Sequence, residues 1–187
     1  MIDDTTTHLI TDEDADLSLI CPLTGKVLQA VTRHLIIVSY RWLTACLSAK
    51  RYINEIPNFE IVGDNIYEKH HGMSRSRLHP STSDRLLANY AFHFKCHGCQ
   101  PFTDNRPLIE LINLSGGLVL NTLNQHIHNI GRQIIILCSK TYLQNKPALQ
   151  QACQKFNILC LEPEWLIATI VQFEVQSFQP WQCTLYR

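Results

Sequence analysis

The segment HLIIVSYRWLTACLSAK, His34 to Lys50, returns near the C-terminus as FNILCLEPEWLIATIVQF, Phe156 to Phe173. Each copy reads as a short apolar strand (Leu35 to Val38; Ile158 to Leu161), a brief break, and an amphipathic helix opening on Trp42 or Trp165. Ser39 and Glu162-Pro163 in the breaks are suitable helix starters. From Trp42, Leu43, Cys46 and Leu47 share a helical face; from Trp165, Ala168, Thr169 and Gln172 do so, with Leu166 and Ile170 beside them. A duplicated strand–helix unit implies two small folded repeats, each with its tryptophan anchored in a core.

The intervening chain supports that division. Thr5 to Thr11 is β-branched and ends in the acidic run from Asp12 to Asp16, predicting a strand and a polar turn whose pairing element is missing from the chain or precedes it. Leu23 to Arg33 predicts a helix, with Val27, Leu28 and Val31 on one face, Pro22 ahead and Thr24 in its first turn. Residues 52–86 have a different texture, a structured exit followed by EKHHGMSRSRLHPSTSDR, which reads as a flexible linker. His70-His71 is expected as a solvated turn, and Lys69, Arg75, Arg77 and Arg85 form a basic cluster able to face phosphate or histone. A second unit then runs as a strand (Asn89 to Lys95), a helix (Leu108 to Leu114) ending in Ser115-Gly116-Gly117, and strands at Leu118 to Leu120 and Gln133 to Cys138. A helix (Pro147 to Phe156) leads into the repeated strand and tryptophan helix. The glycine pair predicts a turn through positive φ and close approach of helix and strand. The expected domains are 1–64, a linker over 65–86, and 87–187, in an α/β fold.

Composition narrows the function. Lys plus Arg equals Asp plus Glu at 16 each, so bulk charge draws the chain toward neither nucleic acid nor membrane. No apolar run is long enough for a membrane span, and the N-terminus lacks a signal-peptide pattern, so cytosol or nucleus is expected. The eight cysteines sit mostly in apolar strand or helix patterns and are expected as reduced core thiols. Cys96-His97-Gly98-Cys99 is the alternative, half of a zinc site with His126 and His128 completing it, although the H-x-H pair lies in another loop. No metal or other cofactor is expected. No spacing suggests a catalytic triad, P-loop or metalloprotease motif; a Cys-His enzyme using Cys96 or Cys99 is the formal rival.

The order β-α-β-β-α-β-α, the Gly-Gly turn and the W-x-x-x-C/S/T helices resemble the BRCT repeat of DNA-damage-response proteins. The second unit matches throughout, the first from Thr7 onward. FEIVGD and CHGCQPFTDN are similar to segments of the tandem BRCT module of a RING-type, breast-cancer susceptibility ubiquitin ligase. SRSRL, Ser74 to Leu78, is similar to its RING-domain partner, the BARD family. The resemblance implies two repeats packed in tandem, each a central parallel sheet flanked by helices, binding phosphoserine peptides without catalysis. By position it makes Thr24 and Lys26 the phosphate contacts and places the inter-repeat groove at Leu23, Leu28, Asn105 and Arg106. Arg75 and Arg77 become possible chromatin contacts. The family's Ser-Gly phosphate contacts have no counterpart before Thr5, and Leu23 stands where the ligase uses arginine. Implied partners are phosphorylated repair proteins or histones in the nucleosome, with a RING-type heterodimer partner bound through regions outside this chain, in the nucleus and with no membrane. The alternative is a phosphate-independent scaffold with a vestigial pocket.

Overall fold

The computed structural model describes residues 2–14, 16, 18–79, 85–123 and 131–183. Its chain divides into two units, residues 1–83 with 170–174, and residues 84–169 with 175–187.

In the first unit β1 (His8–Thr11) pairs in parallel with β3 (Ile36–Ser39), in the register His8 to Ile36 through Thr11 to Ser39. A parallel pair needs a crossover. It contains α1 (Gly25–Thr32), whose Val27, Leu28, Ala30 and Val31 are buried. Within the crossover β2 (Ile20–Cys21) pairs in parallel with β4 (Gly63–Asp64), so a second small sheet ties it to the chain beyond α2 (Arg41–Ala49). The strand expected from Thr5 to Thr11 therefore has a partner inside the chain. No other strand pairs with β1 among the described residues.

The expected linker over 65–86 is corrected in its middle, where Gly72–Arg77 forms α3. Composition concealed it because its apolar content is small, yet Met73 and Ser76 are buried and the Ser76 hydroxyl donates to the Val31 carbonyl. The solvated turn at His70-His71 is also corrected. His70 Nε2 lies 2.8 Å from the buried Asp64 carboxylate, while its Nδ1 accepts from the Gly72 amide.

The second unit forms one four-stranded parallel sheet in the order β6-β5-β7-β8, from β5 (Tyr90–Phe94), β6 (Leu118–Val119), β7 (Gln133–Leu137) and β8 (Leu159–Leu161). Ile134 to Leu137 of β7 are buried, as a central strand covered on both faces requires. Helix α4 (Asn105–Leu114) begins before the expected Leu108, because the Asp104 carboxylate accepts from the Arg106 amide at 2.8 Å and caps it. Gly116 has φ of +83°, and a Cβ on Gly117 would stand 2.6 Å from Ile112 Cγ2 and 3.1 Å from the Phe92 ring. The Gly-Gly turn thus allows α4 and β6 their close approach. Ser139 caps α5 (Lys140–Gln144), a short helix absent from the sequence expectation, and α6 (Pro147–Lys155) follows. Helix α7 (Glu164–Gln172) closes the repeat.

The two tryptophans differ. Trp165 is wholly buried among Tyr90, Phe92 and Phe178. Trp42 is half-buried, stacked on His8 with Tyr52 against its edge, and α2 contains no fully buried residue. The expectation that both are core residues is therefore corrected for Trp42. No helix among the described residues is long and apolar enough to cross a membrane.

Candidate functional site

Helix α1 opens on Thr24, whose extended backbone and side-chain oxygen, accepting from the Val27 amide at 3.3 Å, form an N-cap. The Leu28 amide bonds to the Thr24 carbonyl. The amides of Gly25 and Lys26 have no partner among the described residues, as the first turn of a helix leaves them. Lys26 is exposed and makes no ion pair among those residues. Two amides at the positive end of a helix beside a lysine give an oxyanion both neutral and charged donors.

The loop before α1 is held by a residue that sequence reasoning missed. Asn65 Oδ1 accepts from the Leu23 amide at 3.0 Å, and the Asn65 amide donates to the Cys21 carbonyl. The preceding Asp64 is fully buried and accepts from the Ile66 and Tyr67 amides, forming an Asx turn. The D-N dipeptide after an apolar run was the available signal, but only the β2–β4 pairing shows that it meets the α1 entry.

The counterpart of α1 in the second unit is α6, since each precedes the strand that leads into a tryptophan helix. Helix α6 begins with Pro147, which has no N–H, and Lys146 makes no side-chain cap. The α1 entry thus differs from its counterpart in having a side-chain cap and an N–H at its first helical position.

The other expected residues are placed less favourably. Leu23 is half-buried at the α1 entry, whereas Leu28 has 0% exposure and belongs to the first unit's core. The α1 periodicity that put Leu28 on the apolar face also turns it inward, so it offers no side chain to a groove. Asn105 is committed to its own loop, with Oδ1 accepting from Gly98 and Nδ2 donating to Cys96, and Arg106 forks onto Asp104. Arg77 makes a bidentate pair with Glu60, with donor distances of 2.7 and 3.1 Å, and is four-fifths buried. Arg75 donates to the Gln172 carbonyl and lies 3.6 Å from Glu174. These arginines hold α3 rather than projecting from a flexible linker.

Burial pushes the Cys96 thiol up to about 11 and that of Cys99 up to about 12, with the Glu164 carboxylate adding to each effect. Neither is an activated nucleophile. No group of three or more His, Cys, Asp and Glu able to hold a metal occurs among the described residues; His126 and His128 lie outside them.

Residues 2–47 match the BRCA1 C Terminus (BRCT) domain. Over 183 residues the chain is 26% identical to the Mus musculus breast cancer type 1 susceptibility protein homolog, covering 94% of this chain and 9% of that relative's length. The S. pombe Brc1 BRCT5-BRCT6 domains superpose with a TM-score of 0.61 at 18% identity, covering 91% of this chain and 79% of theirs. The fold is that of a tandem BRCT module. Another similar structure, the complex of Rtt107p and a phosphorylated histone, gives a TM-score of 0.60 at 14% identity, covering 95% of this chain and 76% of that one. Among the described residues the second unit has a four-stranded sheet, and the first has two two-stranded sheets.

Proposed function

We propose that this tandem BRCT module is a non-catalytic reader of phosphoserine in repair proteins or histones, acting in the nucleus within a DNA-damage-response ubiquitin ligase complex. The observation that carries this reading is the α1 entry, where the Gly25 and Lys26 amides have no partner among the described residues, Thr24 caps the helix and the Lys26 side chain is exposed. Its support includes the phosphorylated histone in complex with the similar Rtt107p. The extent of similarity to the breast cancer type 1 relative favours the ligase side of the pair over the BARD side. A RING-type partner would bind through regions outside this chain.

Two features narrow the recognition. Leu28 is closed in the core, and Leu23 brings no charge to the α1 entry, so the phosphate dominates and the third residue beyond it is weakly read. Arg75 and Arg77 are engaged within the first unit, which makes a chromatin contact through them secondary. A charged hydrogen bond is worth about 1.5 to 3 kcal/mol net, so Lys26→Met should weaken a phosphoserine peptide by roughly ten- to hundredfold. Titration of the phosphopeptide and its unphosphorylated twin into parent and variant tests this. The expected result is a phosphate preference lost in Lys26→Met at unchanged melting temperature. Equal binding of both peptides by the parent would favour the phosphate-independent scaffold.

A further inference from the structure

The second unit contains four cysteines in one buried apolar cluster: Cys138 after β7, Cys153 on α6, Cys160 on β8 and Cys183 near the C-terminus, packed with Ile136 and Leu143. The Cys160 thiol donates to Cys153 Sγ at 3.3 Å, and the Cys183 thiol donates to the Cys138 carbonyl at 3.3 Å. A disulfide has an S–S distance of about 2.05 Å, so closing the Cys153–Cys160 pair requires the sulfurs to approach by roughly 1.3 Å. We infer that Cys153 and Cys160 are an oxidation-sensitive thiol pair, converted by a hydroperoxide to a disulfide joining α6 to β8.

Access is provided by the weakness of α6 rather than by a channel. Cys153 is its single fully buried residue, and Pro147, Ala148, Gln151, Gln154 and Lys155 are exposed. An element with so little burial opens locally at much lower free energy than the whole unit. The two sulfurs are also differentiated. The hydrogen bond from Cys160 holds the Cys153 thiol below its ordinary range, against the effect of burial. At Cys160 the hydrogen bond with Cys138 pulls down, but donation to Cys153 and burial prevail and push it up to about 12. Cys153, which accepts the hydrogen bond from Cys160 and sits on the weakly packed helix, is therefore the attacking sulfur and Cys160 the resolving one.

The steps balance. The Cys153 thiolate attacks the hydroperoxide, the O–O bond breaks, and one oxygen remains on sulfur as sulfenic acid while the other leaves, protonated, as water or alcohol. The Cys160 sulfur then attacks the sulfenic sulfur, its proton joins the departing hydroxide, and water leaves as the S–S bond forms. Two thiols are oxidised and one hydroperoxide is reduced.

The test is treatment of the folded chain with hydrogen peroxide, alkylation of remaining thiols, and non-reducing peptide mapping. Cleavage after Lys155 separates the two cysteines, so the bond registers as a linked peptide pair whose fragment ions distinguish Cys160 from Cys183. The expected result is loss of two of the eight thiols, a Cys153–Cys160 link reversed by dithiothreitol, and, in Cys160→Ser, Cys153 advancing to sulfinic acid instead. Recovery of Cys153 and Cys160 as free thiols after other cysteines have oxidised would overturn the inference. So would a dominant Cys138–Cys183 link. Because the mapping uses the native chain, the result does not depend on the variant folding.

Discussion

Helices α2 and α7 begin from the same local pattern and have different environments. In each, the indole N–H donates to a backbone carbonyl eleven residues on, Trp42 to Ile53 at 2.7 Å and Trp165 to Gln176 at 3.0 Å. The motif therefore determines how the chain returns past the ring. It does not determine burial. Around Trp165 that is supplied by Tyr90 and Phe92 of β5, with Phe178 beyond the helix, and residues 165–171 are all buried. Strand β5 pairs with β7; in the first unit β1, which pairs with β3 as β7 does with β8, has no further strand beside it among the described residues. Leu43 and Leu47 of α2 consequently remain 44% and 78% exposed. A tryptophan helix is a local instruction, and its energetic value depends on the neighbouring strand.

The largest effect expected from this contrast is at Trp165. Trp165→Ala should cost about 3 to 5 kcal/mol, and Trp42→Ala about 1 to 3 kcal/mol, because only the first removes a fully buried ring. Urea denaturation followed by circular dichroism checks the order; equal losses would mean that burial of the ring does not distinguish the repeats.

An intermediate effect is expected at the start of α2. The buried Glu13 carboxylate accepts from the Ser39 hydroxyl, the Arg41 guanidinium and the Leu19 amide. Burial alone would raise its pKa, but the hydrogen bonds from Arg41 and Ser39 outweigh this and hold it below the ordinary 4.5. The folded form therefore binds a proton at Glu13 less readily than the unfolded chain. Its stabilisation is present above pH 4.5 and is lost as pH falls through the lower, folded value. Arg41→Ala should cost about 3 kcal/mol at neutral pH by leaving a buried carboxylate without its cation, and the penalty should shrink on acidification. Melting curves from about pH 7 to about pH 3 measure both; a pH-independent penalty would assign the effect to packing.

The smallest effect belongs to the exposed face of α2. Leu47→Gln should change stability by no more than about 0.5 kcal/mol, whereas Leu166→Gln on α7 should cost more than about 2 kcal/mol by burying an amide in place of a packed leucine. Paired thermal melts test the difference, and a large loss at Leu47 would require a covering element on α2.

The same distinction explains what could be read in the sequence. The repeat, the Gly-Gly turn and the helices opening near Thr24 and Pro147 were legible because periodicity and capping act locally. Helix α3 was not, since its anchors are Met73 and Ser76 in a Gly-, Ser- and Arg-rich stretch resembling linker. Nor were the buried pairing of His70 with Asp64 or the engagement of Arg77 by Glu60, whose partners meet only after the chain folds back. At the candidate site, the α1 pattern put Thr24 and Lys26 in the first turn, but their phosphate role came only from the family resemblance, and the support from Asn65 depends on the β2–β4 pairing. Leu28 shows the converse limit, because its periodicity indicates an apolar face without saying that the face is closed.

The most direct test of the proposed site is an amide chemical-shift titration of the isotopically labelled chain with a phosphoserine peptide, using the unphosphorylated peptide as reference. The account predicts that the largest phosphate-dependent shifts fall on Gly25 and Lys26, with smaller ones at Leu23 and Asn65, and none at Ala148 or Leu149 in the α6 entry. Phosphate-dependent shifts centred on α6 or α4, with Gly25 and Lys26 unmoved, would contradict it.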